Sequence, residues 1–182
     1  MYPTKMEANG RLYKINTDFR IGLACFRALN DFEITDTERF YAVQTLLLGE
    51  NVLSEDELVL KKKIETYLRC GREKNTSEEE IDFDYIQDEQ ITRTSIRQCY
   101  HLNLNEIDYL HWYEYNELIS GLTTESLLNK VRDIRTYDLS DVTDEKQRSK
   151  IIEAKERVAL KDNRPKTEEE KELDKFWDKI TG

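Results

Sequence analysis

The 182-residue chain carries 36% charged and 38% hydrophobic residues and a formal net charge of -10. Its length suits one domain with or without an appended tail, and its Leu, Ile and aromatic content excludes wholesale disorder. The acidity excludes a phosphate-backbone binder, which needs clustered cations: the basic run Lys61, Lys62 and Lys63 is flanked by Glu55, Asp56, Glu57 and Glu65.

Asn9-Gly10 is a tight-turn signal, and the alternation at Leu12, Tyr13 and Ile15 predicts a short N-terminal strand or hairpin. Thr17 then reads as the N-cap of a helix to about Asn30, with Phe19, Leu23 and Phe26 facing inward. Capping-box spacing recurs at Thr35 with Glu38, Ser54 with Glu57, and Thr167 with Glu170. The first box opens a helix with Phe40, Val43 and Leu47 on one face and Gly49 as its stop. The second opens a helix through Leu58, Leu60, Ile64, Tyr67 and Leu68 to Cys70, closed by Gly71. Residues 72 to 82 have almost no apolar content and read as an exposed, mobile loop.

Helical spacing resumes through Phe83, Ile86 and Ile96 to Tyr100, and Asn103 or Asn105 is expected to cap a helix over about 105 to 120, ended by Gly121. On that helix Ile107, Leu110 and Leu118 gather on one side, while Tyr109, Trp112, Tyr113, Tyr115 and Ile119 spread over the other. Such a helix is either central to the core or covered in part by another chain. Tyr109 and Trp112 are assigned to packing, and Tyr113 and Tyr115, whose hydroxyls tolerate water, to partner contact. Another helix runs from Thr124 to about Tyr137 with Leu127, Leu128, Val131 and Ile134.

The remainder mixes acids and bases evenly, with sparse apolar points at Ile151, Ile152, Val158 and Leu160, then at Leu173, Phe176, Trp177 and Ile180. The expected organisation is mainly α: a helical core domain over 1-138 and a charged helical arm over 139-182. Short solvated helices are marginal alone, so the arm must dock on the core, another subunit or a partner. Phe176 and Trp177 join Tyr113 and Tyr115 as candidate partner-binding residues.

Catalytic patterns are missing. His101 and His111 stand in no nucleophile or metal motif, and no GxxxxGK[ST], GxGxxG or GxSxG occurs. Cys25, Cys70 and Cys99 are odd in number and widely spaced, so reduced thiols are expected, with no disulfide between Cys25 and Cys99, no metal and no cofactor. Asp82, Asp84 and Asp88 lack the turn-making Gly of a calcium loop. The N-terminus lacks a signal-peptide core and no window approaches 18 apolar residues, so a cytoplasmic protein without membrane contact is expected.

Read in order, "YKINTDFR" at 13 to 20, "YLRCGRE" at 67 to 73, "DFDYIQD" at 82 to 88, "LNEIDYLHWYEYNELISGL" at 104 to 122 and "TDEKQRSK" at 143 to 150 resemble the bacteriophage gene-product-fifteen family, from the tail-gene cluster of phages of Gram-positive bacteria. The resemblance implies a non-enzymatic tail assembly chaperone of the host cytoplasm. It would bind the tape-measure protein and keep it soluble until tail-tube subunits polymerise around it, with possible tail-tube contact and self-association. The alternative is a structural tail or connector component retained in the virion.

Overall fold

Asn9 and Gly10 both adopt positive φ, 48° and 80°, which a two-residue hairpin turn requires. The flanking residues pair antiparallel as β1 (Lys5–Ala8) and β2 (Arg11–Lys14), with Met6 opposite Tyr13 and Ala8 opposite Arg11. In this computed structural model residues 1–72, 81–140 and 142–162 are described. Met6 and Ala8 are buried, so one face of the hairpin lies on the body. Its other attachment is Asp56, fully buried, which accepts hydrogen bonds from Asn9 Nδ2 at 2.7 Å, Tyr13 OH at 2.5 Å and Arg11 Nη1 at 3.2 Å.

Seven α-helices follow among the described residues: α1 (Phe19–Leu29), α2 (Asp36–Leu48), α3 (Glu57–Leu68), α4 (Glu89–Tyr100), α5 (Trp112–Ser120), α6 (Leu127–Thr136) and α7 (Glu145–Val158). The mainly α class with a small N-terminal hairpin is therefore observed. The Thr35 and Glu38 box is present in full, and Gly49 ends α2 at φ 80°. Phe19, Leu23, Val43, Leu47, Leu60, Ile64, Ile96, Trp112, Tyr115 and Leu128 converge from six helices into one core.

Four local expectations need correction. Asp18, not Thr17, caps α1 by accepting from Arg20 N at 2.8 Å, while Thr17 is buried and its hydroxyl meets Tyr109 OH at 2.6 Å. Ser54 begins a 3-10 turn through Asp56 rather than a capping box, and Asp56, engaged by the hairpin, precedes α3 without a side-chain cap. Leu58 consequently points outward, 75% exposed. The third correction is the largest: α5 starts at Trp112, about seven residues later than the spacing predicts.

The cause is local. Asn103 Oδ1 accepts from Asn105 N at 3.2 Å and Glu106 N donates to Asn103 O at 2.9 Å, so the asparagine makes a turn rather than a cap. Arg20 Nη2 then donates to Ile107 O at 2.6 Å, and Phe19 N donates to Leu110 O at 2.9 Å. Trp112 N donates to Thr17 O at 2.7 Å, which completes a short antiparallel bridge between Asp18 and His111. Residues 107–111 are thus held out of the helix by tertiary partners that no helical periodicity reveals.

The fourth correction concerns faces. Tyr115 is 1% exposed and Trp112 is fully buried, while Tyr109 is 55% exposed and Ile107 and Leu118 are half-buried. Trp112 reaches its site because Gly22 leaves room: a Cβ there would lie 2.1 Å from Trp112 Cε3. The predicted loop falls mostly on residues outside those described, as do the Thr167 box and the rest of the arm beyond Asp162.

Candidate functional site

The aromatic stretch divides into a buried half and a rim. Trp112 donates from Nε1 to Leu68 O at 3.1 Å, and the Tyr115 ring stacks on Phe19 with centroids 4.9 Å apart. Burial pushes the Tyr115 hydroxyl's pKa well up. Tyr115 is thereby a core residue, closed to partners in this conformation. Tyr113 is half-buried, and its ring lies 5.3 Å from that of Tyr67 and 6.0 Å from that of Tyr2. Phe176 and Trp177 lie outside the described residues.

His111 organises this rim. Its Nδ1 accepts from Tyr113 N at 3.0 Å, which caps α5, and its Nε2 lies 3.2 Å from Pro3 O. These partners fix the neutral tautomer with the proton on Nε2. Tyr2 stacks on the imidazole at 4.8 Å and its hydroxyl donates to Glu117 Oε2 at 2.5 Å, an interaction that raises the Tyr2 pKa to about 12. The cluster fastens the N-terminal segment to α5. Both imidazole nitrogens are engaged, and the Glu117 carboxylate in the same cluster accepts from Tyr2.

Two of the thiols sit where burial disfavours the thiolate. Cys25 is buried and Cys70 half-buried, and desolvation pushes each pKa up to about 12. All three cysteines are free, and among the described residues no group of three or more His, Cys, Asp or Glu side chains gathers within reach of one metal ion. Nor is any described helix long and apolar enough to cross a membrane.

A concavity lies elsewhere, as a groove of about 890 Å³ between the body and the described part of the arm. Its described walls are the turn after α1, with Phe32; the segment before α4, with Ile81, Asp84 and Gln87; and the end of α7 with the chain beyond, including Lys155 and Leu160. Ile81 is 80% exposed, which leaves a large apolar side chain facing solvent at its edge. Phe32, half-buried, and Leu160 add further apolar surface, so the groove offers greasy ground ringed by charges of both signs.

Arg135 on α6 holds the two walls together. Its guanidinium pairs twice with the buried Asp88 carboxylate, at 2.7 and 2.8 Å, and its Nε donates to Val158 O at 2.6 Å. Gln87 matches its side-chain amide to the backbone of Lys161, donating at 2.9 Å and accepting at 2.8 Å. Lys155 Nζ donates to Tyr137 O at 2.8 Å. The described part of the arm therefore docks on the body, and it does so by polar contacts: α7 contains no fully buried residue.

Sequence reasoning missed Phe32, Ile81 and Gln87. They sit in polar, aperiodic stretches and become neighbours of Leu160 only through the packing of α6 and α7. An unpaired Ile beside the acidic run at 78 to 80 was the one available sign.

A family model described as Bacteriophage Gp15 protein matches residues 2–160. No curated protein and no solved structure matches the chain.

Proposed function

The chain belongs to the family of bacteriophage Gp15 proteins, and from that premise we propose that it is a tail assembly chaperone which binds the tape-measure protein in the host cytoplasm and keeps it soluble. Membership points to a structural or morphogenetic phage protein; the client and the role are our reading. The observation that carries it is the groove between body and arm, where the exposed Ile81 and the half-buried Phe32 and Leu160 lie among charged neighbours.

A helix with an apolar stripe fits a groove of that kind, because its stripe meets Phe32, Ile81 and Leu160 while its flanks stay beside charge. The net charge of -10 supports the same role, since an acidic coat keeps a client of long apolar-striped helices dispersed. No enzymatic step is part of this function. Tail-tube contact and self-association are further partners of the same proposal, and Tyr113, on the half-buried rim, is the candidate second contact.

Co-expression with the neighbouring tape-measure gene and pull-down tests the reading. Ile81→Glu, at an exposed position, should leave the fold intact and lower capture by roughly tenfold, equivalent to about 1.4 kcal/mol. Capture at wild-type levels by that variant would place the client elsewhere, and no capture by the parent protein would end the proposal. A chaperone should also be missing from purified particles by mass spectrometry, whereas a retained tail or connector component would be found there.

A further inference from the structure

We propose that His111 is a proton-operated latch: taking up a proton turns its ring away from α5, releases residues 1–3 and bares the aromatic rim around Tyr113. The latch stands apart from the client reading. It follows from how one rigid ring is bonded.

Neutral His111 satisfies two opposite demands at once. Its Nδ1 accepts from Tyr113 N at 3.0 Å, one of the amides that open α5, while its Nε2 donates to Pro3 O at 3.2 Å. A second proton lands on Nδ1, where it faces that N–H; two donors then oppose each other and the α5 amide loses its acceptor. The positive N-terminus of α5 opposes the new cation too. The imidazolium finds an acceptor for its new donor only by turning, and turning takes Nε2 off Pro3 O and the ring face off Tyr2, which stacks on it at 4.8 Å. One proton therefore breaks the cap and the tether together.

The surroundings set how far the release runs. Tyr2 then hangs by its hydroxyl bond to Glu117, whereas Ile15 N donates to Thr4 O at 2.9 Å and Met6 is buried, so the hairpin keeps hold of the chain from Thr4 on. On α5 the neighbouring charges are Glu114 in the first turn and Glu117. At the start of α1, Asp18 bridges to His111 through the backbone and pairs with Arg20 at 3.0 Å. Asp108 precedes the ring in the chain, the Met1 amine and Lys5 flank the tether, and Tyr67 of α3 meets the imidazole edge-on at 6.5 Å. The carboxylates attract a cation through space. Nδ1 nevertheless points at Tyr113 N, so none of them accepts its proton while the ring stays in place.

NMR on the full-length protein from pH 8 to 5, the interval in which imidazoles titrate, reads the latch. The latched state holds one proton fewer, so the latch is complete at high pH and is lost as pH falls. Protection of the Tyr113 amide, corrected for the intrinsic pH dependence of exchange, should drop by up to ~tenfold per pH unit below the ordinary imidazole value of about 6.5. The contact between the Tyr2 and His111 rings should fade with the same midpoint, while the amides of Leu23 and Tyr115 stay protected. His111→Asn keeps an acceptor for the Tyr113 amide and does not titrate, so its protection should be flat with pH. His101→Asn, at the exposed left-handed cap of α4, should respond as the parent does. A parent whose Tyr113 amide and Tyr2 contact are unchanged down to pH 5 would overturn the proposal. A response that survives His111→Asn would assign it to the Met1 amine or a carboxylate, and loss of Leu23 protection over the same range would mean global acid unfolding; either result overturns it as well. The ring nitrogen shifts of the parent give a check that needs no variant: Nδ1 must be unprotonated at pH 8 and gain its proton at the midpoint of Tyr2 release.

Discussion

Gly22→Ala ought to stabilise an ordinary helix interior by ~1 kcal/mol, since glycine is the poorer helix former. Here the opposite is expected. A Cβ at position 22 would lie 2.1 Å from Trp112 Cε3 and 2.5 Å from its Cδ2, whereas carbons in contact sit ~3.5–4.0 Å apart, so ring or helix must retreat by ~1.5 Å. The ring has nowhere to go: Nε1 is bonded to Leu68 O, and the rings of Phe26, Tyr85 and Tyr115 stand 5.8, 5.2 and 5.8 Å away. Overpacking costs ~1–3 kcal/mol, and losing the indole hydrogen bond adds ~1 kcal/mol. After the propensity gain, a net loss of ~1–3 kcal/mol remains, which lowers Tm by ~2–12 °C in a chain of this size. Urea and thermal unfolding measure it. The double variant Gly22→Ala, Trp112→Leu supplies the control, because a smaller side chain relieves the clash and Gly22→Ala should then cost little or help. A Gly22→Ala protein as stable as its parent would refute the close approach of α1 and α5.

Arg135→Met should destabilise by ~3–5 kcal/mol in urea unfolding, because it strands the buried Asp88 carboxylate, whereas Arg132→Met, which loses only the part-exposed Asp82 pair, should cost under ~1 kcal/mol. Asp56 has its pKa lowered, chiefly by the Tyr13 hydroxyl and further by Asn9 and Arg11. Its contribution is therefore complete above the unfolded carboxylate value of about 4 and is lost as pH falls through the lower folded value, so the urea midpoint should drop more steeply below pH 4 in the parent than in Asp56→Asn. Cys25, buried with its pKa pushed to about 12, should resist thiol reagents at pH 8 until urea unfolds the chain, which a timed modification assay reads. Tyr115→Ala should cost ~3–5 kcal/mol of stability, while Tyr113→Ala, half-buried, should cost less than half as much by the same melts.

Local chemistry was legible wherever it was self-contained. Asn9-Gly10 encodes its turn in backbone preference alone, and Thr35 with Glu38 closes a hydrogen-bond circuit within four residues, so both needed nothing from the rest of the chain. The start of α5 was not legible, because residues 107–111 have helical spacing but are kept out of the helix by Arg20 and by the backbone of Thr17 and Phe19. Starting the helix seven residues early turned its faces around, which put Tyr115 outside when it belongs under Phe19. Gly22 gave no sign either, since a lone glycine in a helix becomes necessary only when a distant indole presses on it. The groove shares that origin: Phe32, Ile81 and Leu160 carry no mutual pattern and are gathered by α6, Arg135 and α7.

The clamp at His111 also sets a timetable for synthesis. Pro3 and His111 are separated by 108 positions, and Tyr2 and Glu117 by 115. The hairpin leaves the ribosome first, with Met6, Ala8 and Ile15 waiting for cover, and its tether to α5 follows only after more than a hundred further residues. At ~5–20 residues per second that wait lasts ~5–20 s, far longer than the microseconds in which the hairpin itself zips. Closing so long a loop also makes this mostly helical protein fold more slowly than its local contacts alone would dictate. The hairpin can meet Asp56 early, but the tether of Tyr2 and Pro3 waits for α5.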